Sequence, residues 1–404
     1  VARHRERAQQ EAAMPFAPGK RPPVLIAGGG IGGLAAALAL ARIDQPTVVL
    51  EQVPEFREVG AGIQLGPNVF RMFERLGVRE AVERTAVFPD GLEIRDALTA
   101  APVLHIPLGA KFRERYGHRY AVIYRPDLLA AIVQACRSSP LVTLAPGRKV
   151  VDFEDRGSHV TVRTEDGGTV EGAALVGADG LWSRIRERIV GDGPPRRAGH
   201  VAYRAVLPIE EAPERARAHR VTLWAGPRVH LVHYPLRGGS LLNLVAVFHS
   251  DRYEEGWDVF GDPRELTEKF RSARPEVLEL LGLIETWRMW VLCDRDPVKG
   301  WSRGRVTLLG DAAHPTLQYM AQGAAMAVED AVALASRIEA ADWDFPRAFV
   351  AYQEERYLRT ARVQLTSRFV GDYVYHARGP AAEVRNQLLA GLSSESMAWL
   401  YGGP

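Results

Sequence analysis

Apolar and polar positions are arranged in three different ways along this chain. The run Val24-Leu25-Ile26-Ala27 is continuously apolar, enters Gly28-Gly29-Gly30-Ile31-Gly32-Gly33, and leads into an Ala/Leu-rich stretch from Leu34 to Ile43. A short unbroken apolar run suits a strand covered on both faces, so the order reads strand, tight turn, helix. Thr47-Val48-Val49-Leu50-Glu51, just after Pro46, repeats the strand pattern and ends in an acid. The unit is β-α-β, and its parallel strands imply an α/β domain. Further on, the Gly-punctuated loop Gly60–Asn68 precedes an amphipathic helix carrying Val69, Phe73 and Leu76, and Arg125-Pro126-Asp127 opens another with Leu128, Leu129, Ile132 and Val133 inward.

The second arrangement is β-branched and short. Val150–Phe153 and Val160–Val162, with a turn at Asp166-Gly167-Gly168, predict a small antiparallel meander. From about Val201 to Leu292, strands such as His230–Tyr234 and Leu242–Phe248 mix with a charged helical region from Pro263 to Leu281, which predicts a mixed-sheet domain. A third change comes at Arg305–Leu309, a buried strand ending in Gly310-Asp311, followed by a helix from Ala324 to Ile338. The first domain is thus interrupted and resumed. The expected organisation is a disordered leader at 1–22, a discontinuous Rossmann-like domain from 23–100, 121–200 and 301–345, a substrate domain from 101–120 and 201–300, and a C-terminal helical or interface region at 346–404.

Composition narrows the class. Over 404 residues, 47% hydrophobic and 25% charged, the chain is ordinary globular material, and a net charge of +2 gives no electrostatic reason to expect a nucleic-acid partner. Only Cys136 and Cys293 are present, too few for a disulfide framework, a redox pair or a thiolate metal centre, so a reducing cytoplasm is expected and no metal site. The longest strongly apolar stretch, Leu34–Ala41, is far short of the ~20 residues needed to span a bilayer, and no membrane span is expected.

A bare GxGxxG is weak evidence in a chain with 38 glycines. Its setting makes it stronger. Gly28 permits the turn, Gly30 lets a pyrophosphate approach the backbone, Gly33 lets helix and strand pack closely, and the helix start, with Ile31 and Gly32, offers N–H groups to phosphate. Glu51 stands where the ribose hydroxyls of an adenosine would be held. Two more strand ends bear the same residue types: Leu175-Val176-Gly177-Ala178-Asp179-Gly180 and Thr307-Leu308-Leu309-Gly310-Asp311-Ala312-Ala313-His314-Pro315. Each alone is a common strand-to-turn junction. The ordered set resembles the single-component FAD-dependent aromatic hydroxylases, which share the fold of para-hydroxybenzoate hydroxylase. The likeness runs from Val24 into the C-terminal region. Through Gly310–Ala324 and His230–Gly239 it is greatest to the branch that hydroxylates 3-hydroxybenzoate at C6.

That resemblance implies FAD as cofactor, NADH or NADPH as reductant, O2 as oxidant, a small aromatic acid as substrate and a homodimer. It implies that Gly62 and Arg125 contact FAD, that Asp311 bonds the ribityl chain, and that Gln322, Gly323 and Ala324 present a helix N-terminus to the isoalloxazine, where the dipole would favour charge on reduced flavin. Asp179 and Gly180 would serve FAD and nicotinamide together. His230 would take the phenolic proton, Gln318 would bond the same oxygen, Tyr234 and Tyr120 would line the substrate pocket, and Pro315 would pass the ring. A base fits the chemistry, because a phenolate sends more electron density to its para carbon than a phenol does, and histidine exchanges protons near neutrality. His233 is the rival base. Strand alternation puts 230, 232 and 234 on one face and 233 on the other, which favours His230.

His314 is expected to be scaffold, and Trp287, Trp290 and Trp301 to be core or interface packing. The Arg- and aromatic-rich stretch Phe345–His376 reads as a packing or dimer helix with a solvated charged face. Arg204 and Arg237 are both candidates to anchor a substrate carboxylate, with nothing in their spacing to choose between them. The rivals to the whole reading are a hydroxylase of this fold acting on salicylate, a hydroxynicotinate or a larger aromatic, and, further off, an NAD-dependent dehydrogenase or a non-catalytic nucleotide-binding protein.

Overall fold

A computed structural model describes residues 21–57, 60–252 and 259–403. Apart from Arg21 and Pro22, the expected leader lies outside the described residues. The Val24–Ala27 strand sits in a six-stranded sheet, flanked in parallel by Ala174–Gly177 and Thr47–Glu51. Val306–Leu308 and Val142–Pro146 extend it in parallel, and Ser302–Arg303 closes one edge in the antiparallel sense. The first helix, Ile31–Ala41, is buried nearly all round because it lies between this sheet and the long helix Gly323–Ala340. That explains its lack of an amphipathic pattern.

The second sheet has seven strands, in the order Arg288–Asp294, Arg196–Pro208, Leu241–His249, Val229–Leu236, Val221–Gly226, Gly91–Asp96 and Pro102–Pro107. Two expected boundaries move. Gly91–Asp96, placed with the nucleotide domain, pairs in parallel with Val221–Gly226, and residues from Arg196, also placed there, pair with Arg288–Asp294. Half-buried strands alternate identically in either sheet, so pairing partners and not local pattern decide membership. The predicted meander is present as Val150–Asp155, Val160–Thr164 and Thr169–Gly172.

One face of the seven-stranded sheet, with Leu231, Leu244, Ala246 and Phe248, packs with Leu266, Phe270 and Leu280 of the helices Pro263–Phe270 and Pro275–Gly282. The other face carries Val232, Tyr234 and Val245 and looks toward the parallel sheet. The space between is the functional cavity.

The C-terminal helix Phe345–Phe369 corrects another expectation, since its charges are not merely a solvated face. Arg356 is buried and pairs with Glu329 at 2.9 Å and Asp330 at 2.6 Å, while Arg359 holds Glu329 at 2.6 Å. Helical spacing locates a stripe but cannot say that two acids wait opposite it on Gly323–Ala340. Trp287 and Trp301 are core residues, as expected.

Candidate active site

Two helices begin at the cavity with their N–H groups unspent. Ile31–Ala41 starts after Gly30 and Gly323–Ala340 after Gln322; neither has a capping side chain or an acid in its first turn. Uncapped N-termini are sites for negative charge. Gly28 has φ +109°, and a Cβ there would stand 2.2 Å from the Ala178 carbonyl oxygen; one on Gly33 would stand 2.0 Å from that of Gly28. A Cβ on Gly30 would meet nothing within 4 Å, which leaves the cavity side of the turn open. Glu51 sits beside it, accepting from the Gly29 N–H at 2.5 Å and the Val53 N–H at 3.0 Å.

The turns that follow the strands Val24–Ala27, Ala174–Gly177 and Val306–Leu308 converge. Gly28, Gly30, Ile31, Gly32, Glu51, Gly62, Arg125, Asp179, Gly180, Gly310, Asp311, Gln322, Gly323 and Ala324 line one cavity of about 990 Å³, large for a small-molecule site. This is the carboxyl edge of a parallel sheet, where such folds place ligands. Gly33 stands behind the lining as the packing glycine. The Asp179 carboxylate is engaged by Ser183 Oγ at 2.5 Å and the Arg184 N–H at 2.9 Å, so it shapes its turn as well as bordering the cavity.

The same cavity is also lined by His230, Tyr234, Tyr120, Gln318 and Arg204, with an apolar wall that includes Leu223, Val232, Val245 and Leu317. His230 and Tyr234 share the cavity face of their strand, while His233 points to the other side and accepts from Trp224 Nε1 at 3.3 Å. Burial pushes His230 down to about 3 and His233 to about 4, so both imidazoles rest neutral at pH 7. His230 Nδ1 lies 2.8 Å from His376 Nε2, which leaves Nε2 as the nitrogen for the cavity. Burial also raises Tyr234 well above the ordinary phenol range, keeping its hydroxyl protonated.

Arg204 and Arg237 separate cleanly here. Arg237 forms a two-bonded pair with Asp127 at 2.6 and 2.8 Å, away from the cavity lining. Arg204 lines the cavity, lies 5.1 Å over the Trp290 ring and donates to Gln318 Oε1. Gln318 therefore keeps its amide N–H groups for a ligand. Two expectations fail: Pro315 is buried behind the wall, its carbonyl accepting from Gln364 Nε2 at 3.1 Å, and Trp290 lines the cavity instead of packing in the core. Pro315 lies in an irregular segment and Trp290 on the edge strand Arg288–Asp294, and in neither does local pattern say which side turns toward the cavity.

Several supporting residues were not foreseen. Asp330 accepts from the Gly310 N–H at 3.0 Å, from His314 at 2.5 Å and from Arg356, which ties the Gly310-Asp311 turn to two helices. His314 is thus scaffold, as expected. Asn68 joins Gln322 at 3.0 Å to Glu329 at 2.8 Å. Tyr375, Trp399 and Tyr401 bring the C-terminal region into the cavity wall. Two adjacent acids, Glu329-Asp330, in the middle of an Ala-rich helix were the one available signal in the sequence.

Burial would raise the Asp330 carboxyl, but His314 and Arg356 hold it down at about 2. A depressed carboxylate stabilises the fold above its unfolded value of about 4 and loses that contribution as pH falls toward 2. Urea unfolding at pH 5 and at pH 3 is expected to show a drop that is much smaller in Asp330→Asn, which is already weakened at neutral pH.

Comparison with known proteins agrees with the geometry. The FAD binding domain family matches residues 21–366. The 3-hydroxybenzoate 6-hydroxylase 1 of Aquipseudomonas alcaligenes is 46% identical over 94% of this chain and 97% of its own. The 3-hydroxybenzoate 6-hydroxylase of Polaromonas naphthalenivorans (strain CJ2) is 47% identical over 94% and 96%. Among solved structures, Klebsiella pneumoniae HpxO complexed with FAD and uric acid superposes with a TM-score of 0.81 at 26% identity, covering 95% of each chain. With the fold, the cavity and these relatives in agreement along almost its entire length, the chain belongs to the FAD-dependent aromatic hydroxylases, monooxygenases built on an FAD binding domain.

Proposed function

We propose that this enzyme hydroxylates a phenolic aromatic acid para to its hydroxyl group, with 3-hydroxybenzoate as substrate, NADH as reductant and O2 as oxidant. The balanced reaction is 3-hydroxybenzoate + NADH + H⁺ + O2 to 2,5-dihydroxybenzoate + NAD⁺ + H2O. The observation that carries the reading is the placement of His230, Gln318 and Arg204 around one apolar chamber that continues into the dinucleotide cavity. Bound there, FAD supplies hydride acceptance and oxygen activation. Its phosphates suit the open side of Gly30 and the helix start at Ile31, its adenosine ribose suits Glu51, its ribityl chain suits Asp311, and the N-terminus at Gln322–Ala324 suits charge on the reduced ring.

Within the chamber, His230 Nε2 accepts the phenolic proton and the Gln318 amide donates to the resulting phenolate. The phenolate raises electron density at the ring carbon para to it, which directs the oxygen there. Arg204 holds the carboxylate as a charge-assisted pair. Val232, Val245 and Leu223 keep water from the reacting carbon. Leu358 and Leu365, exposed one heptad apart on Phe345–Phe369, support a homodimer. No helix among the described residues is long and apolar enough to cross a membrane, and we place the enzyme in the cytoplasm.

The test is coupling: NADH consumed and product formed are compared for 3-hydroxybenzoate, salicylate and 6-hydroxynicotinate. Equal amounts are expected for the first alone, and full coupling with either of the others in its place would move the substrate assignment. Arg204→Met is expected to raise KM for 3-hydroxybenzoate by about 10–100-fold, the loss of one charged hydrogen bond, with a much smaller effect on a neutral phenol.

A further inference from the structure

Behind the proposed base the chain places three more histidines in close order. His230 Nδ1 lies 2.8 Å from His376 Nε2, and His376 Nδ1 lies 3.1 Å from His249 Nε2. His376 is buried, whereas His249, at the end of the Leu241–His249 strand, is partly exposed. His200 braces the row from the side, its ring 4.1 Å from that of His249 and its Nδ1 2.6 Å from the Tyr319 hydroxyl. Both nitrogens of His376 are thus spent in series, between a ring that borders the cavity and a ring that reaches the surface. A neutral imidazole accepts at one nitrogen and donates at the other, so such a row has a direction.

We propose that His230, His376 and His249 form a proton conduit carrying the substrate's phenolic proton from the cavity to solvent. The inference rests on His230 being the base. As the phenol O–H breaks, a bond forms at His230 Nε2; the proton on His230 Nδ1 passes to His376 Nε2, that on His376 Nδ1 passes to His249 Nε2, and that on His249 Nδ1 enters water. One proton leaves and no electrons move. Running the row backward, to return a proton to the product's oxygen before release, restores each ring's starting tautomer. His376 and His249 never touch the substrate and are positioning residues.

The surroundings keep the rings neutral at rest. Burial lowers His376 well below the ordinary histidine range, and burial lowers His249 to about 3. Arg228 faces His200, His249 and His376; Lys269 and Arg378 face His249; Arg196 faces His200; all of these favour the neutral ring. Asp372 faces His200 and opposes them. Tyr319 and Tyr375 contact the His230 ring and rest protonated, both raised chiefly by burial. A proton entering the row is driven onward instead of being stored.

The test uses the FAD-loaded enzyme, mixed without NADH with 3-hydroxybenzoate in weak buffer containing a pH indicator. Indicator colour reports proton release and ultraviolet absorbance reports bound phenolate. In His376→Phe and His249→Ala the release rate is expected to fall at least about tenfold, with FAD content and substrate affinity within about twofold of the parent, and added imidazole should restore release in His249→Ala. Release at the parent rate in both variants would overturn the conduit. If His376→Phe fails to retain FAD, His249→Ala with and without imidazole decides alone, and a slow release that imidazole does not restore counts against the proposal. His230→Gln separates the two readings: parent-rate release there removes His230 as base, while lost release there with parent-rate release in the other two removes only the conduit.

Discussion

His230→Gln is expected to lower the rate of ring hydroxylation by about 10²–10⁴-fold, the usual contribution of a positioned general base. The glutamine is of similar reach and can still hydrogen-bond, but its amide cannot hold the phenolic proton. The variant should bind FAD as the parent does, because His230 stands on the Val229–Leu236 strand of the seven-stranded sheet, whereas the glycine turns follow strands of the parallel sheet. Bound substrate should remain a phenol by its ultraviolet spectrum, and any NADH consumed should outrun product. His233→Ala is the control. It removes a buried partner of Trp224 and so weakens the fold somewhat, yet product per NADH should stay near the parent value, since that ring faces the opposite core. Equal losses in both variants would contradict the assignment.

Gly33→Val is expected to yield protein without flavin. The Cβ it adds would sit 2.0 Å from the Gly28 carbonyl oxygen, so strand and helix must part and the turn that faces the phosphates loses its shape. Gly30→Ala makes the comparison informative, because its Cβ meets no protein atom within 4 Å and the fold should tolerate it. There the methyl group intrudes only on the side offered to the ligand. Flavin absorbance after purification and reconstitution should therefore be absent in Gly33→Val. In Gly30→Ala the expected change is a weakened FAD affinity at nearly unchanged unfolding temperature. Retention of FAD by Gly33→Val would contradict the role of that turn.

The parts of this fold legible from residues alone were those fixed by local chemistry. Val24–Ala27, the glycine turn and Ile31–Ala41 follow from an unbroken apolar run and from positions where a side chain has no room. The placement of His230 and His233 on opposite faces follows from the two-residue period of a strand, and of the two only His230 lines the cavity. What stayed hidden depends on distant pairing. Gly91–Asp96 could not be assigned to its sheet because its partner lies near residue 221. Arg356 reads as a solvated helix charge until Glu329 and Asp330 are placed opposite it. Arg204 and Arg237 look equivalent until Asp127 is seen to occupy the second. His376, far along the chain, meets His230 only through the packing of the C-terminal region on the large sheet.

The proposed function is tested most directly by the position of the new hydroxyl group when the FAD-loaded enzyme turns over 3-hydroxybenzoate with NADH in air. Chromatography and proton NMR of the product should show 2,5-dihydroxybenzoate, one molecule for each NADH consumed. A 2,3- or 3,4-dihydroxy product, or NADH consumption with no hydroxylated product, would contradict it.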